Sequence, residues 1–66
     1  MKVNGKPFLL DKLPQPNILL LLHELKLNPN TVAIERNGDI LNREEWDKVQ
    51  LKDSDQLEII KFVGGG

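Results

Sequence analysis

Gly64-Gly65-Gly66 are the residues whose chemistry stands out, although none has a functional side chain. They follow directly on an apolar, strand-like run, Leu57–Val63, and close the sequence. The group they would present is the α-carboxylate of Gly66, whose reference pKa of about 3.3–3.7 keeps it ionised at neutral pH. A carboxylate resists nucleophilic attack, but it can itself attack the α-phosphorus of ATP. The acyl-adenylate so formed accepts a sulfur or nitrogen nucleophile. Glycine, lacking Cβ, fits where walls press close to the chain. Three glycines extended at about 3.3–3.6 Å each make a thin arm of roughly 10 Å. Such an arm can carry Gly66 down a narrow channel into another protein's active site. The expectation is a reactive tail, 64–66, with Gly64 and Gly65 as the inserting residues, on a domain, 1–63, that serves as its handle. Composition alone also allows a frayed end or a linker scar, because glycine runs are the default flexible linker.

What must position that tail is small. Sixty-six residues make one domain, and a chain this short buries only about 60% of its unfolded surface, which argues against a deep substrate pocket. Hydrophobic content of 39% and charged content of 29% suit a folded soluble domain. The net charge of −1, without a basic run, gives no reason to expect a nucleic-acid partner. There is no cysteine, hence no disulfide, no thiolate nucleophile and no thiolate metal site. No run approaches the roughly 20 apolar residues of a membrane span, and the start lacks a signal peptide's apolar stretch. A cytoplasmic location is expected.

Local patterns give the elements. Asn4-Gly5 sits between Met1–Val3 and Lys6–Leu10 and predicts a hairpin, since both central residues of a type I′ turn need positive φ; Val3 and Phe8 belong on its buried face. Asp11–Pro16 reads as a connecting loop. Asn17 is a good N-cap for a helix over Ile18–Lys26, where Ile18, Leu21, Leu22 and Leu25 make one apolar face. Leu20 falls on the opposite side and Leu19 on the flank; Pro29 ends the element. Thr31–Arg36 alternates, with Val32 and Ile34 on one face and Ala33 and Glu35 on the other, the pattern of a half-buried strand. Asn37-Gly38 is a second hairpin turn returning through Ile40-Leu41. Asn42 and Glu45 have capping-box spacing for one helical turn ending at Trp46. After the polar turn Lys52–Gln56, Leu57 and Ile59 of the last strand face the core and Glu58, Ile60 and Phe62 the other side. The only long helix must then cover one face of a four- or five-stranded sheet, with the apolar last strand central and the far face open.

A helix-on-sheet chain of this order ending in Gly-Gly resembles the ubiquitin-like sulfur carriers, most closely the ThiS family of thiamin biosynthesis. The matching pieces are the opening strand with Asn4-Gly5, Asn17-Ile18 leading into Leu21-Leu22-His23-Glu24-Leu25, Val32-Ala33-Ile34 running to Asn37-Gly38, Arg43-Glu44-Glu45-Trp46, Leu51–Asp55 and Val63–Gly66. They span the whole chain. Three positions depart from the family pattern. Ser54 stands where glycine is usual, so that turn is expected to avoid strongly positive φ. Leu19 and Leu20 occupy positions often small or polar, and Lys26 sits where a helix-ending glycine is common.

The resemblance implies an α+β fold, a β-grasp with a mixed four- to five-stranded sheet and one main helix on one face. It implies that a ThiF-like adenylating enzyme joins Gly66 to AMP from MgATP. Sulfur, from cysteine through a persulfide made by a donor such as a cysteine desulfurase, then replaces AMP and leaves a thiocarboxylate. A ThiG-like thiazole synthase takes that sulfur. The chain is then a co-substrate and not an enzyme, binds no cofactor of its own, and has neither nucleic-acid nor membrane partners. The molybdopterin-type sulfur carriers, a ubiquitin-like modifier and a plain interaction module share the fold.

Other side chains have simpler roles. Ile60 and Phe62 on the open face are candidates for docking the partner, with Leu20 a second contact or a tolerated surface leucine. Trp46 reads as an anchor of the core or its rim. His23, the single histidine, lacks the partners that catalysis or metal binding would need. Glu44, Glu45, Asp53 and Asp55 read as caps and turn residues.

Overall fold

A computed structural model describes residues 1–62. Val63, expected to end the last strand, and the glycines 64–66 lie outside the described residues. Five strands form one mixed sheet: β1 (Lys2–Val3), β2 (Lys6–Pro7), β3 (Val32–Arg36), β4 (Asp39–Leu41) and β5 (Gln56–Lys61). Their spatial order is β2-β1-β5-β3-β4. The last strand is therefore central, parallel to β1 and antiparallel to β3. One helix, α1 (Ile18–Glu24), covers one face. This is the expected β-grasp arrangement.

Both Asn-Gly turns form as their sequences require. Asn4 and Gly5 have φ of 52° and 80°, and Asn37 and Gly38 of 54° and 90°, the doubly positive geometry of a type I′ turn. A Cβ at Gly5 or Gly38 would meet nothing within 4 Å, so backbone conformation and not crowding explains glycine there. The first hairpin is shorter than expected. Its last backbone pair joins Met1 to Phe8, the Phe8 N–H donating to the Met1 carbonyl at 2.8 Å and the Met1 amino group to the Phe8 carbonyl at 3.1 Å, and Val3 is buried while Phe8 is only partly so. Ser54 is not among the positive-φ residues, as its side chain required.

The core sits between α1 and the sheet. Ile18, Leu21 and Leu22 of the helix meet Val32 and Ile34 of β3 and Leu57 and Ile59 of β5, all buried. Asn17 caps the helix, its Oδ1 accepting from the Leu20 N–H at 2.8 Å. The helix ends two residues before the expected Lys26. Lys26 takes φ of 60°, its N–H donates to the His23 carbonyl, and the Leu27 N–H donates to the Leu22 carbonyl. That pair of bonds is a Schellman motif, which requires a left-handed residue at the position Lys26 holds.

Two further readings are corrected. The expected loop Asp11–Pro16 begins inside a 3-10 turn, Leu10–Lys12, and delivers Leu13 to the core. Leu51, in irregular chain, is also core, held by its N–H donating to the Pro16 carbonyl. On α1 it is Leu19 that is exposed and Leu20 that is half-buried. The capping box at Asn42 and Glu45 is present. It leads to Trp46, which is buried and donates its indole N–H to the Leu41 carbonyl at 3.0 Å. The Arg43 guanidinium lies 4.7 Å from the Trp46 ring centroid, a cation–π distance.

Candidate functional site

β5 runs through the middle of the sheet, and its two ends have different surroundings. Its start is pinned. Asp55, immediately before the strand, is buried, and its carboxylate accepts from Arg36 Nε at 3.0 Å, Asn37 Nδ2 at 3.0 Å and the Lys52 N–H at 2.9 Å. Burial pushes its pKa up. The bonds from Asn37, Lys52 and Arg36, together with the Arg36 charge, outweigh burial and leave the pKa below the ordinary value. Reading Asp55 as a plain turn residue is thus corrected: it is the hub that joins the β3–β4 turn to the start of β5.

The far end of β5 is exposed on one face. The alternation of the strand puts Leu57 and Ile59 under the helix and Glu58, Ile60 and Phe62 on the open face. Ile60 is 44% and Phe62 63% exposed. Ala33 lies directly across from Ile60. Ile40 belongs to the same face, since it pairs with Glu35, and it is 60% exposed. Sequence reasoning passed over Ile40, although the register of a two-residue turn at Asn37-Gly38 was enough to place it beside Glu35. Glu35 and Glu58 face each other across β3 and β5 and give the apolar patch an acidic border. Leu20 lies on α1, in the layer beyond the opposite sheet face, and is not brought together with Ile60 and Phe62.

Among the described residues, this end of the sheet offers exposed apolar surface with an acidic border. His23 is exposed on α1. Among the described residues no group of His, Asp and Glu is placed to hold a metal ion, and no helix is long and apolar enough to cross a membrane. Gly64, Gly65 and Gly66, the expected inserting and reacting residues, lie outside the described residues. Phe62 is the last residue placed, and its N–H donates to the Thr31 carbonyl at 2.9 Å. Phe62 is therefore fixed to the sheet four residues before Gly66.

Known proteins share this pattern. The model of the ThiS family matches residues 1–66. The sulfur carrier protein ThiS of Bacillus subtilis is 44% identical over 46 residues, 70% of each chain. The uncharacterized protein ycf40 of Pyropia yezoensis is 36% identical over 66 residues, which is 100% of this chain and 90% of that one. A thiazole synthase of Paramagnetospirillum magneticum is 44% identical over 46 residues. There the matched stretch is 70% of this chain but only 14% of the synthase's length. The crystal structure of the thiamine biosynthesis protein (ThiS) from Geobacter metallireducens superposes with a TM-score of 0.79 at 41% identity, covering 98% of this chain and 96% of that one. With its five-stranded mixed sheet, single covering helix and a match along its full length, the chain belongs to the ThiS family.

Proposed function

We propose that this protein is a sulfur carrier that supplies the sulfur of the thiamin thiazole, with Gly66 as the atom-bearing end. The observation that carries it is the family match across residues 1–66, which takes in the glycines as well as the domain. The Gly66 carboxylate attacks the α-phosphorus of MgATP in the active site of a ThiF-like enzyme, and pyrophosphate leaves. The terminal sulfur of a persulfide, made from cysteine by a desulfurase, then displaces AMP to form an acyl disulfide. A thiol cleaves its S–S bond by exchange, leaving the thiocarboxylate on Gly66 and a disulfide on the donor. A ThiG-like synthase accepts that sulfur. Two proteins named thiazole synthase, each containing a stretch 41–44% identical to this chain, support a synthase of that kind as the acceptor. The protein itself catalyses no step and holds no cofactor; it works in the cytoplasm, where MgATP and cysteine are at hand.

Ile60 and Phe62 dock the partner, and Gly64 and Gly65 thread the carboxylate into its channel. Four residues past Phe62 reach at most about 14 Å when extended, so a surface seated on the patch and an active site within that distance are satisfied by one partner. Leu20, half-buried on the other side of the molecule, is at most a secondary contact.

Intact-mass measurement of the native protein tests this. A fraction heavier by the difference between sulfur and oxygen is expected, lost when Gly65-Gly66 is deleted, along with thiamin synthesis. Unchanged thiamin synthesis after that deletion, or with a bulky residue appended to Gly66, overturns the proposal. Isopeptide-linked forms on other proteins would mark a modifier instead.

A further inference from the structure

We propose that Asn4 is a positioning residue for delivery: its carboxamide stands in for a missing strand and fixes the direction in which β5 leaves the domain. The proposal rests on the reading of the end of β5 as the docking and delivery end.

β5 is central, yet its neighbour β1 is only two residues long and covers only Gln56 and Leu57. The odd-numbered residues of β5 turn their backbone groups toward β1, because the even-numbered ones serve β3: the Phe62 N–H goes to Thr31 and the Gln56 carbonyl to Asn37. The last backbone bond on the β1 side is the Asn4 N–H to the Leu57 carbonyl, 2.8 Å. There the chain reverses at Asn4-Gly5, and a backbone partner for Ile59 is no longer supplied. The Asn4 side chain supplies one. Its Oδ1 accepts from the Ile59 N–H at 2.7 Å, and its Nδ2 donates to the Ile59 carbonyl at 3.4 Å. One carboxamide thus carries out both halves of a strand pairing, across 55 residues of sequence. Aspartate can perform only the acceptor half, and glycine neither, although both tolerate the left-handed turn.

The placement matters because Ile60 and Phe62 come immediately after Ile59. Beyond that point β5 is held by β3 alone. With the clamp, β5 is held from both sides up to Ile59, and the docking pair that follows on β3 has one orientation. Without it, the strand end must be ordered when the partner binds, and that ordering weakens association.

The second Asn-Gly turn provides a control within the molecule. Asn37 has the same left-handed φ and its Oδ1 also caps a β5 amide, that of Gln56 at 2.9 Å, but at the opposite end of the strand. Asn4→Gly, Asn4→Asp and Asn37→Gly, in the full chain, are compared in ATP–pyrophosphate exchange by the adenylating enzyme. Amide exchange at Ile59 is followed in parallel. The net worth of a hydrogen bond sets the expected scale, so KM for the carrier rises about 3- to 10-fold in Asn4→Gly with kcat unchanged. Asn4→Asp, which keeps the shorter bond, recovers part of it. Asn37→Gly lowers stability but leaves KM at the wild-type value.

A KM for Asn4→Gly equal to wild type, with the Ile59 amide deprotected, overturns the positioning role and leaves the carrier function standing. An equal rise in Asn37→Gly also overturns it, because general loosening of β5 would then explain both. No exchange with the unaltered chain overturns the carrier function itself, and the positioning role falls with it.

Discussion

The two ends of β5 are gripped by the same device in different company. At the start, Asn37 caps the Gln56 amide and also donates to Asp55, which Arg36 and the Lys52 N–H hold from other directions. At the far end, Asn4 grips Ile59 alone, and the neighbouring Ile60 and Phe62 are exposed. Charge, burial and shared hydrogen bonds concentrate where the strand begins. A single carboxamide and open apolar surface mark where it leaves. On the proposed reading, stability and presentation fall to opposite ends of one strand, and the ends should respond to mutation in opposite ways.

The largest effect on stability is expected at Asp55. Asp55→Ala leaves Arg36, Asn37 and the Lys52 N–H without their common acceptor in a buried place, a loss of about 2–4 kcal/mol. Asn4→Gly removes one shared carboxamide near solvent and should cost about 1 kcal/mol. Urea denaturation of both variants measures the difference. Equal losses would break the contrast between the ends.

Phe62 should behave conversely. It is 63% exposed, so Phe62→Ser should shift stability by no more than about 0.5 kcal/mol. Loss of an aromatic anchor from a docking patch weakens binding by more than about 1 kcal/mol, or several-fold in KM. Ile40→Ser shares the face and should show a smaller effect of the same kind. A Phe62→Ser variant that unfolds readily but is adenylated with normal KM would assign the patch to the fold and not to a partner.

Acid sharpens the contrast further. The carboxyl of Asp55 is held below its ordinary value in the folded chain. A depressed folded pKa contributes stability that is fully present above the unfolded value, about 3.9, and lost as pH falls through the folded one. The stability gap between the wild type and Asp55→Asn should therefore narrow below about pH 4. A gap that stays constant through that range would remove the charge of Asp55 from the account and leave only its geometry.

These features were unequally legible in the sequence. Turns and caps were readable because their causes are local: Asn4-Gly5, Asn37-Gly38, Asn17 and the Asn42–Glu45 pair all act within four residues. The faces of β5 were readable because alternation is local too. Asp55 was not, since its partners Arg36 and Asn37 reach it only once β3 and β5 have paired. The Asn4–Ile59 clamp was hidden for the same reason, as was the delivery of Leu13 and Leu51 from irregular chain into the core. Ile40 is a different case: the two-residue turn fixed its register, and the inference was available but not drawn.

The smallest expected effect comes from the far end of α1, where Leu25 and Leu27 border an apolar hollow of about 400 Å³ shared with Phe8, Asn4 and Ile59. Lys26, between those leucines, holds φ of 60° with a side chain that disfavours it. Both Schellman bonds are backbone bonds and survive substitution. Lys26→Gly relieves the left-handed strain, and although glycine makes the unfolded chain more flexible, the net change at such a position should be a gain of about 0.5–1 kcal/mol. Its exposed ammonium makes no side-chain hydrogen bond among the described residues, so docking should be untouched. Thermal melting should therefore rise by a few degrees, about 4–8 °C per kcal/mol for a domain of this size, while KM in pyrophosphate exchange stays fixed. A gain in stability with a simultaneous change in KM would mean that the helix end and the docking end are coupled through the hollow, and that presentation is not confined to β5.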